Sequence, residues 1–277
     1  MKDNQPLSLQ EIQKVSLDIL KFVAKICEDN SIQYYLMYGT LIGAIRHKGY
    51  IPWDDDVDIM MPRPDYIKFL QYAKTHKEEF GHYEIFNRET NKNYIYGITR
   101  VSDSRYKIIE EGRTNYGIGI FIDIYPYDGL GNDSTEALLT LKKTRKYCDK
   151  IVGIIHPQQQ KKHYKNIKEF YSSIYHKIKN KILGVNYYYK KLDKLSTKYS
   201  YDESTFVGPV IWFFSQPQKV LFRRSLFGNN YKHIFVDREF NIPIYYDNLL
   251  TQEYGDYMTL PPEEKRTGHH DYKAYKK

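Results

Sequence analysis

The stretch of residues 38–62, YGTLIGAIRHKGYIPWDDDVDIMMP, decides the fold that the sequence predicts. Its first part follows an apolar run typical of a strand, turns at Gly39 and Thr40, and continues with the spacing of a short helix over residues 41–47. Backbone N–H groups at a helix start point towards an anion, and the helix dipole favours negative charge there. We therefore predict that Gly39 and Thr40 bind phosphate oxygens.

The aspartates that follow are the most distinctive feature of the sequence. A strand over residues 54–60 would place Asp54, Asp56 and Asp58 on one face, because alternate side chains of a strand point the same way. Asp55 would then point to the opposite side. Three carboxylates on one face repel one another unless a cation lies between them, and oxygen ligands together with substrate phosphates suit Mg²⁺. This face predicts a magnesium site, although a run of aspartates in an arbitrary protein is more often a solvated turn.

A further acid lies in the apolar segment 119–126, where Asp123 is the one charged residue. A lone carboxylate inside an apolar strand is costly to bury unless it is paired or binds a metal. We therefore predict that Asp123 meets Asp56 and Asp58 in space, and that these three acids are catalytic. The alternative is a strand-end aspartate that caps the next turn.

The composition favours an anionic partner and a reducing compartment. The chain has 277 residues and a net charge of +8, which suits a nucleotide, a phosphate polymer or an acidic membrane surface. The two cysteines, Cys27 and Cys148, have no metal-ligand spacing and fit reduced thiols. Because we find neither a signal segment nor an apolar run approaching 18 residues, we expect a cytoplasmic protein.

A change of composition along the chain predicts three parts. Residues 1–133 carry the strands, short helices and acids of a catalytic core. Residues 134–205 are helical by pattern and basic, with sixteen Lys or Arg against three acids over residues 141–200. Residues 206–277 return to mixed patterns and are expected to pack back on the core. The basic segment is either a solvated helix face or a docking surface for an anionic membrane leaflet.

Two blocks of the chain resemble the LicD family. Residues 39–58 are similar to its signature GT-L-GA-RH-G-IPWDDD-D, and the segment YGDYMTLPPEEKRTGHH at residues 254–270 is similar to its C-terminal signature. The resemblance implies an α+β, nucleotidyltransferase-like fold, in which a mixed β-sheet is flanked by helices, here with the basic helical insertion. It also implies Mg²⁺-dependent transfer of phosphocholine, or a related phospho-alcohol, from a CDP-activated donor to a sugar hydroxyl of a cell-surface glycan precursor such as teichoic acid or lipopolysaccharide.

The resemblance also suggests roles for individual residues. The expected metal ligands are Asp54, Asp56, Asp58 and Asp123. The expected phosphate- or nucleotide-binding residues are Gly39, Thr40, Arg46, His47, Lys48, Arg266 and His269. The expected partners are CDP-choline or a similar CDP-alcohol and a glycan or lipid-linked sugar acceptor, with peripheral contact at the inner face of the plasma membrane. Aromatic side chains such as Trp53 and Trp212 would offer cation–π contact to choline.

Two other functions fit parts of the sequence. A nucleotidyltransferase that moves NMP from an NTP to a small molecule, a protein or RNA would use the same acids and release pyrophosphate. A non-catalytic binder of nucleic acid or of another anionic surface would use the basic helices. The aspartate face argues against the binder, because clustered acids repel a phosphate backbone, and we predict no nucleic-acid partner.

Overall fold

A mixed β-sheet is the centre of the fold in the computed structural model, which describes residues 5–91, 94–110, 116–155, 167–212, 214, 216–228, 231–268 and 272–277. Its main strands are β1 (Tyr35–Leu36), β2 (Asp58–Pro62), β3 (Tyr83–Phe86), β4 (Thr99–Asp103) and, after β5 (Tyr106–Glu110), β6 (Ile120–Gly129). They are ordered β1-β2-β6-β4-β3, with β2 and β6 parallel and the other neighbours antiparallel. The predicted α+β class with a mixed sheet is therefore confirmed.

Five helices accompany these strands: α1 (Leu9–Asp29), α2 (Tyr38–Ile42), α3 (Arg63–Thr75), α4 (Lys77–Phe80) and, near the C-terminus, α7 (Tyr246–Tyr254). The start of α1 follows from local chemistry, because the Ser8 side chain accepts from the Glu11 N–H while the Glu11 carboxylate accepts from the Ser8 N–H. Helix α2 leads directly into one π-helical stretch, Gly43–His47. This continuous segment leads the chain towards the aspartates.

The C-terminal part adds two small antiparallel pairs. Strands β9 (Lys232–Phe235) and β10 (Arg238–Asn241) form a hairpin, and β11 (Tyr272–Lys276) pairs with β5. The N–H of Val236 at the hairpin turn donates to the carbonyl of Lys48 at 2.7 Å. The C-terminal residues are therefore bound directly to the segment that carries the first signature.

The chain divides into two compact units, the first comprising Met1–Tyr127 with Arg224–Lys277 and the second Asp128–Arg223. The second unit contains α5 (Ser134–Ile155), α6 (Ile167–Ser196), β7 (Phe206–Gly208) and β8 (Phe222–Arg223). It extends beyond the sequence-based boundaries at residues 133 and 205, because β7 pairs with the last two residues of β6 and β8 pairs with β7. No helix within the described ranges is long and apolar enough to cross a bilayer.

Candidate functional site

The aspartates that precede β2 form a cluster rather than a strand face. Because β2 begins at Asp58 and residues 54–57 have no regular secondary structure, the predicted alternation of Asp54, Asp56 and Asp58 was wrong. Asp54, Asp55 and Asp56 instead bring carboxylate oxygens within 4.8 Å of one another, so Asp55 joins the cluster. The physical reason is a turn closed by the Asp54 N–H donating to the Ile51 carbonyl at 2.9 Å, which keeps these residues out of the sheet.

Two of the predicted catalytic acids lie side by side in the sheet. The parallel register pairs Asp58 of β2 with Asp123 of β6, and the two residues are only 7% and 4% exposed. The N–H of Asp123 donates to the carbonyl of Val57 at 2.9 Å, which fixes this register at the start of β2. The sheet therefore brings together two acids that are 65 positions apart in the sequence, from 58 to 123.

The electrostatics around Asp58 favour a bound cation. Burial raises the pKa of Asp58 well above its ordinary value, and repulsion from Asp56, Asp123 and Asp54 raises it further, while Arg100 acts in the opposite direction. Among the described residues, the buried Oδ1 of Asp58 has no hydrogen-bond partner. An unsatisfied buried carboxylate oxygen beside three further acids is what a hard divalent cation would stabilise. The residues present therefore fit Mg²⁺.

Arg100 of β4 is a site residue that the sequence pattern did not predict. Its Nε donates to Asp123 Oδ1 at 2.7 Å, and its guanidinium carbon lies 3.9 Å from the ring centre of Phe121 and 4.5 Å from that of Tyr96. Burial opposes the charge of Arg100, but Asp123 raises the pKa of this guanidinium above its ordinary value. The available signal was a basic residue inside a strand-like segment, which needs a buried acidic partner.

Gly39 and Thr40 hold α2 against the acids. The Thr40 hydroxyl oxygen accepts a hydrogen bond from the Asp58 N–H at 2.8 Å, and a Cβ at position 39 would lie 2.7 Å from Asp54 Oδ2. Both residues lie in the first turn of α2, because this helix begins at Tyr38, one turn earlier than the sequence pattern indicated. They therefore set the position of the acids, and phosphate binding by them stays a prediction.

The basic cluster after α2 connects the two signature blocks. Arg46 Nη1 donates to the carbonyls of Tyr257 at 2.5 Å and Thr259 at 3.5 Å, and Arg46 Nε donates to His47 Nε2 at 2.9 Å. Burial and the neighbouring Arg46 lower the pKa of His47, whereas Lys48 is exposed in a left-handed conformation at φ 56°. Arg46 thus positions the C-terminal block, and phosphate binding by these three residues stays a prediction.

The C-terminal block reaches the aspartate cluster. The Arg266 guanidinium carbon lies 5.7 Å from the ring centre of Trp53, and Arg266 Nε donates to the Pro261 carbonyl at 2.8 Å. A Cβ at Gly268 would lie 3.6 Å from the carboxyl carbon of Asp55. The predicted residue His269 lies outside the described residues. Arg266 therefore lies beside Trp53, the residue before the acids, and phosphate binding by Arg266 stays a prediction.

A cavity of about 500 Å³ opens beside Trp53, the residue directly before the acids. Its lining includes aromatic, basic and acidic side chains: Arg46, Trp53, Tyr254, Asp256, Tyr257 and Lys265. Trp53 is a candidate aromatic from the sequence, whereas the two tyrosines are not singled out by it. Their position in the C-terminal signature was the available signal, and only the fold places them against Trp53.

Comparisons with known proteins identify relatives of this chain. Residues 31–157 match the family model described as LicD/FKTN/FKRP, nucleotidyltransferase domain. The lipopolysaccharide cholinephosphotransferase LicD of Haemophilus influenzae is 34% identical over 278 residues, covering 97% of this chain and 98% of that protein. The uncharacterized protein RT0683 of Rickettsia typhi is 36% identical over 78 residues, which is 28% of this chain and 23% of that protein.

The match to the Haemophilus influenzae relative covers both signature blocks and defines the class of this protein. It is an enzyme of the transferase class. More specifically, the chain belongs to the LicD family, because its similarity to the Haemophilus influenzae relative extends over nearly the whole of both chains.

Proposed function

We propose that this protein transfers phosphocholine, or a related phospho-alcohol, from a CDP-activated donor to a sugar hydroxyl of a cell-surface glycan precursor. The structural observation that carries the proposal is the pairing of Asp58 with Asp123 beside the Asp54–Asp56 cluster. The name of the Haemophilus influenzae relative, a lipopolysaccharide cholinephosphotransferase, supports the group transferred and the type of acceptor. Lipopolysaccharide and teichoic acid precursors are both acceptors of the required chemistry.

The acids are the proposed ligands of Mg²⁺, with Asp54, Asp56, Asp58 and Asp123 as the set. Bound there, Mg²⁺ would neutralise charge on the donor phosphates and on the departing CMP. The chain itself supports this set, because Arg100 orients Asp123 through the 2.7 Å ion pair and the missing side chain of Gly39 leaves room for the Asp54 carboxylate. The buried Oδ1 of Asp58, which has no hydrogen-bond partner among the described residues, would be available to hold the cation.

The proposed reaction exchanges one P–O bond for another. The acceptor hydroxyl oxygen forms a bond to the phosphorus atom that carries choline, and the bond from this phosphorus to the CMP oxygen breaks. CMP leaves with the electron pair, and the hydroxyl proton passes to a carboxylate, either Asp123 or one of the acids at residues 54–58. The protein contributes mainly by positioning the donor and acceptor, since such transfers need little covalent chemistry from the enzyme.

The cavity beside Trp53 is the proposed site of the zwitterionic phosphocholine group. Trp53, Tyr254 and Tyr257 offer aromatic faces to a quaternary ammonium, and Asp256 adds a negative charge. Arg46 and Lys265 line the same cavity and suit a phosphate. We further propose that the reaction takes place in the cytoplasm at the inner face of the plasma membrane, because the expected acceptor is carried on lipid.

A test of the proposal is incubation of the full chain with CDP-choline, Mg²⁺ and a lipid-linked glycan extract, with CMP release measured in the presence and absence of EDTA. We expect metal-dependent CMP release that falls at least 100-fold in Asp56→Asn, because the neutral amide would weaken the carboxylate set proposed to hold Mg²⁺ against the donor phosphates. The matched control is Asp29→Asn, which makes the same chemical change at a half-exposed aspartate paired with Lys25 at the end of α1.

A nucleotidyltransferase remains the second candidate, because the matching family model is described as a nucleotidyltransferase domain. Pyrophosphate release from a nucleoside triphosphate, without CMP release from CDP-choline, would overturn the first proposal and support the second. Release of CMP from CDP-ethanolamine or CDP-ribitol alone would keep the reaction type and replace the transferred alcohol.

A further inference from the structure

Helix α6 has an N-terminal arm that differs from its remainder. Gly184 departs from helical geometry at φ 70° and ψ 167°, so residues 167–183 form a separate segment that we call the α6 arm. After this break, Tyr188, Tyr189 and Leu192 are buried against Cys148 and Ile151 of α5. The second half of α6 therefore belongs to the core of its unit, whereas the arm has a different environment.

The α6 arm carries an exposed apolar stripe. Six large side chains are at least 37% exposed: Ile167, Tyr171, Ile174, Tyr175, Ile178 and Ile182. At 3.6 residues per turn these six positions fall within an arc of about 100°, which is the width of a typical buried helix face. The most exposed are Ile182 at 79% and Ile167 at 76%. A contiguous exposed apolar surface of this kind marks an interaction site.

Lysines border this stripe on both sides. Helical spacing places Lys177 and Lys181 along one edge and Lys179 along the other, and all three are exposed. The arm contains four lysines and one acid, Glu169. Long lysine side chains can extend along an apolar surface while their charges stay in water. An apolar helix face between lysines is typical of a helix that lies in the interface of an anionic membrane.

We propose that the α6 arm docks this protein on the surface of an anionic lipid bilayer, with the isoleucine and tyrosine stripe inserted between the headgroups. The lysine edges favour this occupant over a second copy of the chain, because two such arms would bring like charges together. The apolar stripe does not suit a nucleic-acid backbone, which is contacted mainly by charged and polar groups. This inference extends the proposed location at the membrane, but its test does not involve the transfer reaction.

The experiment is co-sedimentation of the full chain with vesicles of phosphatidylcholine alone and of phosphatidylcholine with 30% phosphatidylglycerol. We expect binding to the anionic vesicles that weakens as salt is raised. A triple variant with Lys177, Lys179 and Lys181 changed to Gln should bind about 100-fold more weakly, since each lysine near an anionic surface contributes about a fivefold factor. Ile178→Asp should also abolish binding, because it places a charge in the apolar stripe.

The matched control changes Lys14, Lys74 and Lys77 to Gln, three exposed lysines of the first unit, which lowers the net charge equally. This control should bind as the wild type does. Equal binding to neutral and anionic vesicles, or unchanged binding of the arm variants, would overturn the proposal. A wild-type dimer in light scattering that Ile178→Asp converts to a monomer, without vesicle binding, would assign the stripe to self-association instead.

Discussion

At the scale of single residues, Gly39 sets how closely α2 approaches the acids. A Cβ at this position would lie 2.7 Å from Asp54 Oδ2, so Gly39→Ala must displace the Asp54 carboxylate. We expect kcat/KM for CMP release to fall about 100-fold, because a shift near 1 Å in a catalytic group has this effect. Stability should change little, since alanine favours a helix by about 0.5–1 kcal/mol over glycine.

The control for this prediction is Gly268→Ala. A Cβ at Gly268 would have its nearest neighbour at 3.4 Å, which is an ordinary contact, although this glycine also faces an aspartate, Asp55. Activity should therefore remain within a few-fold of wild type. Equal losses in the two variants would show that crowding at Asp54 is not the cause.

The buried ion pair of Arg100 and Asp123 leads to a second prediction at the scale of single residues. Both side chains are at most 10% exposed, so Arg100→Met leaves a buried carboxylate without its cation. We expect the free energy of unfolding in urea to fall by about 3–5 kcal/mol. The double variant Arg100→Met with Asp123→Asn should lose less than the sum of the two single losses, because it removes both charges.

A surface ion pair serves as the comparison for Arg100. Lys21 contacts Asp237 at 2.6 Å, but the Asp237 side chain is 56% exposed. Lys21→Met should cost no more than about 1 kcal/mol, because water screens and replaces this contact. A loss at Arg100 as small as the loss at Lys21 would contradict the claim that the Arg100 charge is required in the interior.

At the scale of elements, one side chain connects the π-helical stretch Gly43–His47 to the C-terminal loop at residues 257–262. Arg46 donates to the carbonyls of Tyr257 and Thr259, and hydrogen bonds from charged groups contribute about 1.5–3 kcal/mol. We expect Arg46→Met to raise hydrogen exchange at the backbone amides of residues 257–260 by tenfold or more, measured by mass spectrometry. Activity should fall with it, because the same loop lines the cavity beside Trp53.

Lys48→Met is the matched control for Arg46. It removes a positive charge two residues further along, from a side chain that is exposed. Hydrogen exchange over residues 257–260 should remain as in the wild type. Unchanged exchange in Arg46→Met would show that other contacts are sufficient to hold the loop.

At the scale of the whole molecule, the two cysteines report on the two units separately. Cys27 lies in the first unit and Cys148 in the second, and both are buried. Burial raises the pKa of Cys148 to about 12 and raises that of Cys27 well above its ordinary value. Because the thiolate is the reactive form and a raised pKa makes it scarce, both thiols should resist iodoacetamide at pH 8 in the native protein.

Labelling in increasing urea would test this prediction, with each cysteine followed by its own peptide in mass spectrometry. We expect each thiol to become reactive only at the urea concentration at which its own unit unfolds. Complete labelling of Cys148 before any change in the far-UV circular dichroism would contradict its burial between α5 and α6. In Cys148→Ser only Cys27 can be labelled, so this variant shows which labelling signal belongs to which cysteine.

The parts of this protein that the sequence alone determined are those that depend on neighbours in the chain. Ser8 and Glu11 begin α1 through a contact across three residues, and the apolar run around Asp123 indicates a strand without long-range information. The acidic stretch before β2 lies within one short segment, so a cluster of carboxylates at this point could be predicted without long-range information. The same local pattern predicted that the strand begins at Asp54, whereas β2 begins at Asp58. The turn at residues 52–53 keeps residues 54–57 out of the sheet.

Only the tertiary structure decided which distant residues meet. Arg100 and Asp123 are 23 positions apart and Arg46 and Tyr257 are 211 apart, and no periodicity in the sequence connects them. The sheet register places Asp58 beside Asp123, and the returning C-terminal segment places Trp53, Tyr254 and Tyr257 around one cavity. The physical reason is that hydrogen bonding and burial select these pairs from many alternatives only once the chain is compact.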